Sequence, residues 1–399
     1  MQLSHTATHI NHSFVRNILA LTQKPGVISF AGGLPDPYLF PLTAIKDAMT
    51  TLMEDSNFSL FQYGPTQGFL PLREALAQQL QTQNISLDAA DILITTGSQQ
   101  GLDLACRALM NRGEAIVVES PTYLAALQLF RSHEATIHSV AISPEGPDIE
   151  ALETLFKTGT IRFFYTIPTF QNPTGFTCNA LMRRKVAELA KTYGVWIVED
   201  DPYGALRYEG TAPPSYASLY PAGTVLLGTA SKIAAPDFRL GWLCAPPKVL
   251  EACIKLKECT DLQSSYFFQR VLHEMMTNDT LRIHQKRLRT AYVQKRDTIV
   301  KALKETFEDT LHVEAPEGGM FVWATLHDGT DTMELFHEAI KQYVAFVPGS
   351  VFHPCGGGKN TMRLNFTHAS PEKIIEGVAR MKKAYTIKTN AFCFRIPAH

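Results

Sequence analysis

The chain has 399 residues, 45% of them hydrophobic and 19% charged, with a formal net charge of -1. That length admits two or three ordinary domains, or one large domain with a satellite. The near-neutral charge offers no attraction to nucleic acid or to an anionic membrane surface. No apolar run approaches the roughly 18 residues that span a bilayer. The polar start "MQLSHTATHINHSF" lacks the apolar core of a signal peptide. Seven cysteines, an odd number with no CxxC, argue against a disulfide framework or a zinc site and for a reduced, cytoplasmic setting.

In chain order, "DILITTG" (91–97) reads as a strand that runs into the helix-like "SQQGLDLACRALM". "EAIVVESPTY" (114–123), "IRFFYTIPTF" (161–170), "GVWIVEDDPY" (194–203), "TVLLGTASK" (224–232) and "RLGWLCAPP" (239–247) are further strand candidates. "LMRRKVAELAKTYG" (181–194) separates two of them as a helix. Turn-bounded apolar runs alternating with helices predict an α/β chain with a mostly parallel sheet covered on both faces. "HEATIH" (133–138) resembles the metal-binding HExxH but has one residue too many to put both histidines on one helix face; it reads as a solvated loop or edge. Further on, residues 284–307 read as a long helix, "GGMFVWATL" (318–326) as a strand and 371–387 as a terminal amphipathic helix. With the N-terminal segment they predict a smaller α+β unit built from both termini. The expected division is an N-terminal arm and part of the small domain over 1–55, a large domain over 56–285, and the rest of the small domain over 286–399.

In sheets of this kind ligands bind beyond the carboxyl ends of the strands. Ser98 and Gln99, Tyr123, Asn172, Asp200 and Tyr203, and Ser231 and Lys232 all fall at predicted strand ends. Each has an ordinary reading as a cap or turn residue. "TTGSQQGL" opens a helix, where unpaired N–H groups favour a phosphate, but Ser at an N-cap is commonplace. "QNPTG" (171–175) forces a turn that presents the Asn172 amide. Of the adjacent Asp200 and Asp201, alternation along a strand lets only one face the site. "GTASKIAAPDFRLGW" (228–242) sets Lys232 and Arg239 in an apolar stretch. There the amine form of a lysine is favoured, and an amine attacks carbonyls. A ligand carrying both an aldehyde and a phosphate, such as pyridoxal phosphate, would satisfy the lysine, the arginine and Ser98 together.

These motifs, with "YGPTQGFLPLREAL", "EDDPY", "EGGMFVW" and "MRLNFT", resemble the class I/II aminotransferases, which are pyridoxal-phosphate enzymes of fold type I. "ISFAGGLPDPYLFP" and "PGSVFHPCGGGKNTMRLNFT" resemble the branch with 2-aminoadipate, kynurenine and broad-specificity members. The resemblance implies a large domain with a mostly parallel, mixed seven-stranded sheet between helices. It implies transfer of an α-amino group from an amino acid (2-aminoadipate, aromatic, branched-chain or similar) to a 2-oxo acid such as 2-oxoglutarate, by a ping-pong Schiff-base mechanism. Lys232 would then bond to the cofactor and move the substrate proton, and Asp200 would pair with the pyridinium nitrogen. Tyr203 and Asn172 would bind the ring O3′, and Tyr123 would stack on the ring. Ser98, Gln99, Thr229, Ser231 and Arg239 would hold the phosphate, joined by Tyr63 from the neighbouring subunit of a homodimer. Arg363 would clamp the substrate α-carboxylate, with Gly33 and Asn172 close by. Arg16 falls where some members read a side-chain carboxylate, and equally where it would only brace an N-terminal helix.

The family usually has Ser-Phe-Ser-Lys where this chain has Thr229-Ala230-Ser231-Lys232, and a small residue where it has Asp237. Asp237 is expected to point away from the phosphate. Two other readings stay open on these residues: a β-C–S lyase or decarboxylase on the same scaffold, and the effector-binding domain of a transcription regulator. Only about 25 residues precede "GVISFAGGLP", and they lack a basic three-helix pattern, which disfavours the regulator.

Overall fold

The computed structural model describes residues 24–54 and 58–393, together with Leu3, Thr8 and Ile18. Strand β1 (Ile28–Ser29) comes first. Eight strands then build the large sheet: β2 (Ile92–Thr95), β3 (Ala115–Ser120), β4 (Thr136–Ser143), β5 (Gly146–Pro147), β6 (Ile161–Thr166), β7 (Trp196–Asp200), β8 (Thr224–Thr229) and β9 (Gly241–Cys244). Their order across the sheet is β2-β9-β8-β7-β6-β3-β4-β5. This is the expected seven-stranded sheet, with β5 added at one edge by a short antiparallel hairpin from β4. The central pairs β3–β6, β6–β7 and β7–β8 are parallel, and every residue of β8 is buried. Strands covered by helices on both faces have no solvent side, which is why these segments read as unbroken apolar runs.

β4 is the strand the sequence does not announce. It lies one strand from the edge and most of its side chains are exposed or half-buried, so polar residues dilute its pattern. His133, before it, pairs with Asp103 at 2.7 Å, while His138 sits within β4. Among the described residues no cluster of His, Cys, Asp or Glu could hold a metal ion.

One antiparallel strand sets the geometry that matters. β9 runs against both of its neighbours, β2 and β8. The carboxyl ends of β2, β3, β6, β7 and β8 therefore open on one side of the sheet, and β9 begins on that same side.

Five further strands follow: β10 (Leu311–Val313), β11 (Phe321–Leu326), β12 (Val344–Ala345), β13 (Val347–Pro348) and β14 (Thr361–Asn365). Four of them form the antiparallel sheet β10-β11-β14-β13, while β12 pairs in parallel with β1. The helices Thr280–Phe307 and Pro371–Cys393 pack against each other over this part of the chain. The N-terminal segment is tied into it at several points. The Phe30 N–H donates to the Ala345 carbonyl at 2.8 Å, and the Asn365 N–H donates to the Phe30 carbonyl at 2.7 Å. Lys295 forms a buried ion pair with Asp36 at 2.6 Å and donates to the Thr367 carbonyl at 2.8 Å. The helix Leu42–Glu54 instead packs on Tyr266–Thr277. No helix among the described residues is long and apolar enough to cross a membrane.

Candidate active site

The strand order brings most of the sequence-predicted residues together. β2 and β9 pair through Thr95 and Gly241, and β9 and β8 pair through Gly241 and Thr229. The helix start after β2, the loop after β8 and the residues before β9 therefore meet at one corner. Gly97 holds φ at +80°, a conformation natural for glycine, and a Cβ there would approach the Arg239 guanidinium to 2.8 Å. Ser98 opens the helix Ser98–Leu109, so the first backbone N–H groups of that helix face the same corner. Gln99 is the outlying member; its side-chain amide reaches the Ala125 carbonyl only at 3.5 Å.

The loop between β8 and β9 closes on itself. The Ala230 N–H donates to the Leu240 carbonyl at 3.0 Å, and the Thr229 hydroxyl donates to the same carbonyl at 3.1 Å. Thr229 and Ser231 are buried and joined by a hydroxyl–hydroxyl bond of 3.0 Å. Lys232 is half-buried, and its ammonium donates to the Gly33 carbonyl at 3.0 Å. Burial first, then the charges of Arg239 and Arg363, bring its pKa down to about 8. At pH 7 about a tenth is then the free amine, far more than in an ordinary lysine.

The structure corrects one expectation here. Arg239 is exposed despite its apolar neighbours. Its guanidinium donates only to backbone, to the Thr96 carbonyl at 3.3 Å and more weakly to that of Pro236 at 3.5 Å. Among the described residues no carboxylate lies within ion-pair distance of it. Asp237 is also exposed and makes no ion pair with Arg239.

Asp200 ends β7 and is buried, only 4% exposed. Its Oδ2 accepts from the Tyr165 hydroxyl at 2.9 Å, while its Oδ1 is buried without a partner. Burial pushes its pKa up to about 7; the Tyr165 bond opposes the rise and neighbouring Asp201 adds to it. Asp201 faces the other way, as alternation requires, and accepts from the Gly204 N–H at 2.8 Å to close a turn. Tyr203 follows, buried and edge-on to Phe321 at 5.8 Å between ring centroids. Burial holds the Tyr203 and Tyr123 phenols above their ordinary range, so both stay neutral. The charge of Asp200 adds to the rise at Tyr123, and those of Arg363 and Arg239 oppose it.

Asn172 is presented by a braced turn. The Gln171 amide donates to Glu119 at 3.1 Å and to the Pro121 carbonyl at 2.7 Å, and its oxygen accepts from the Thr174 N–H at 3.0 Å. Gly175 has φ of +74°, and a Cβ there would meet the Phe321 carbonyl at 2.8 Å. The Asn172 Oδ1 in turn accepts from Arg363 at 2.7 Å. Arg363 lies on β14, buried, and donates also to the Ala31 carbonyl at 2.6 Å; its Nε is buried and unpaired. Phe321 and Phe352 flank the guanidinium at 4.3 and 5.0 Å from their ring centroids. Burial lowers its pKa to about 10, so it remains charged at neutral pH.

Sequence reasoning did not single out Tyr165, Phe321, Phe352 or the Ala31 carbonyl. Tyr165 faces Val198 across β6–β7, and Asp200 lies two residues further on the same face. Only strand register reveals that contact. Tyr63 is 78% exposed and stands apart from these residues within one chain. Arg16 lies outside the described residues.

The residues fit the cofactor that the resemblance implies. An unpaired buried carboxylate oxygen suits a protonated ring nitrogen, and an arginine with no acid partner suits a phosphate. An amine of lowered pKa suits an aldehyde.

The model of the family described as aminotransferase class I and II matches residues 31–381. The chain is 42% identical to an aromatic-amino-acid aminotransferase of Thermococcus litoralis over 96% of its own length and 94% of that protein. It is similar to the solved kynurenine aminotransferase of Pyrococcus horikoshii, in complex with PMP, KYN and KYA, with TM-score 0.92 and 40% identity over 97% of each chain. It is also similar to an α-aminoadipate aminotransferase of Thermus thermophilus complexed with N-(5'-phosphopyridoxyl)-L-leucine, with TM-score 0.90 and 34% identity over 98% of each chain.

Proposed function

The chain belongs to the class I and II aminotransferases, and from that premise we propose which residues carry the transfer. It is a pyridoxal-phosphate enzyme that moves an α-amino group from an amino acid to a 2-oxo acid. The bound cofactor supplies an electron sink for the charge left when the substrate Cα loses its proton. Lys232 would hold the cofactor through its amine and would carry the proton from the substrate Cα; its lowered pKa supports both tasks. Asp200 faces the ring nitrogen and keeps it protonated. Tyr203 and Asn172 orient the ring through its O3′, and Tyr123 covers one face. Ser98, Gln99, Thr229, Ser231 and Arg239 hold the phosphate. Arg363 grips the substrate α-carboxylate beside Gly33 and Asn172. Donor and acceptor both carry that carboxylate, so one clamp serves both half-reactions.

The observation that carries this assignment is the combination of a buried, unpartnered Asp200 oxygen with an arginine, Arg239, that has no acid partner among the described residues. The donors are proposed to be large amino acids: aromatic, branched-chain, or 2-aminoadipate. The relatives' names and the aromatic rings around Arg363 support that range.

The working unit is proposed to be a homodimer in the cytoplasm, with residues 1–55 giving an N-terminal arm and part of the small domain and residues 286–399 the rest of it. Leu42, Met53, Phe61, Tyr63 and Leu70 expose apolar surface on one stretch of chain, more than an isolated surface would leave uncovered. Free cysteines suit a reducing compartment. The test is a panel of amino donors with 2-oxoglutarate, plus borohydride reduction and peptide mapping. Glutamate formation and fixation of the cofactor at Lys232 are expected. Pyruvate with ammonia or thiol, and no glutamate, would give the site to elimination instead.

A further inference from the structure

Behind the phosphate corner sits a lysine that the mechanism does not use. Lys257, on the helix Pro247–Asp261, is fully buried. Its ammonium donates to Asp261 at 2.7 Å and to the Gln100 side-chain oxygen at 2.8 Å. The other Asp261 oxygen accepts from the Gln100 amide at 2.7 Å and from the Thr96 hydroxyl at 3.0 Å. Gln100 also accepts from the Thr96 N–H at 2.8 Å, and Ser264 shares the Thr96 hydroxyl at 2.9 Å. Thr96 is thus held by both its N–H and its hydroxyl, and its carbonyl is where Arg239 rests. The next two residues are Gly97 and Ser98.

A buried ion pair is a poor way to gain stability, because desolvation offsets most of the attraction. What such a network does well is fix one geometry. We propose that Lys257 and Asp261 are positioning residues for the cofactor phosphate: through Gln100 and Thr96 they set the backbone at 96–98 and the seat of Arg239. This rests on the reading of Ser98 and Arg239 as the phosphate site. Among the described residues the network's hydrogen bonds reach none of the groups proposed to hold the ring, so its loss should cost affinity for the phosphate and leave affinity for the ring intact.

The experiment compares cofactor-free protein titrated with pyridoxal phosphate and with pyridoxal, which lacks the phosphate. In Thr96→Val, which removes only the hydroxyl, Kd for pyridoxal phosphate should rise about 10-fold while Kd for pyridoxal stays within about twofold. Thr96→Ser should keep the wild-type ratio of the two. Lys257→Met should shift that ratio the same way as Thr96→Val. Equal weakening of both ligands means a general structural role and overturns the proposal. So does an unchanged Thr96→Val, or a Thr96→Ser as impaired as Thr96→Val. Arg239→Leu is the control. If it leaves the preference for pyridoxal phosphate over pyridoxal unchanged, the phosphate assignment itself is wrong. If it lowers that preference while Thr96→Val does not, only the network proposal fails.

Discussion

Replacing Asp200 by asparagine should move two properties in opposite directions. The carboxylate is buried with one oxygen unpaired, and burial raises its pKa from 3.8 to about 7. A rise of that size corresponds to roughly 4 kcal/mol against the folded, charged form. The asparagine oxygen can still accept from Tyr165, but its NH2 would be buried without a partner at a cost of about 1–2 kcal/mol. About 2 kcal/mol of net stabilisation remains for the cofactor-free protein at pH 8.

The sign follows from linkage. An acid whose folded pKa lies above its unfolded value destabilises the fold as pH rises from near 4, and the full cost is reached above about 7. Wild type should therefore lose stability across that window while Asp200→Asn does not, so the gap between them narrows from pH 8 toward pH 5. Urea unfolding of both cofactor-free proteins at the two pH values reads this directly. With cofactor the order reverses. The variant loses the partner of the ring nitrogen, and kcat/KM should fall roughly 10- to 200-fold, the worth of one hydrogen bond to a charged group. A variant less stable than wild type at pH 8, or a gap that ignores pH, would refute the account of Asp200 as a carboxylate held in place for a cation.

Three further outcomes are expected. The rate at which cofactor-free protein takes up pyridoxal phosphate should rise with pH through a midpoint near about 8, following the Lys232 amine; Arg363→Met should move the midpoint upward, since a neighbouring cation is gone, and a fixed or lowered midpoint would contradict the electrostatic account. Arg363→Leu should lower kcat/KM by roughly 100- to 1000-fold for the amino donor and the 2-oxo acceptor alike, because both lose the same clamp; a loss confined to one of them would remove the assignment. Co-expression of Tyr63→Leu with Lys232→Ala should restore about a quarter of wild-type activity, since each mixed dimer holds one intact site made of Lys232 and the partner subunit's Tyr63. If activity only averages the two parents, Tyr63 does not act across the interface.

The residues legible in the sequence were those whose local pattern and function coincide. Asp200 ends an apolar strand, Lys232 follows one by three residues, and Asn172 sits in a turn that proline and glycine announce. Their supports were not legible, because contacts such as Tyr165 with Asp200 depend on strand register, and the linkage of Lys257 to Thr96 depends on helix packing. β4 was hidden for a related reason. Near the edge a strand needs little apolar surface, so periodicity is weak where burial is weak.

The spacing of Lys232 and Arg239 shows how topology replaces a linear reading. Seven residues along the chain invite the picture of a segment stretched from one end of the cofactor to the other. The structure instead folds that segment into a loop closed between antiparallel strands, with Thr229 facing Gly241 at its base. Lys232 stands on the β8 side and Arg239 on the β9 side. What carries Arg239 to Gly97 is the pairing of β9 with β2. A residue inserted near Ala234 would lengthen the loop without moving either strand. One inserted into β9 would flip its side chains to the other face and disturb its pairing with both neighbours. Asp237 fits the same logic. It lies on the turn Pro236–Phe238, exposed, where an acid is solvated.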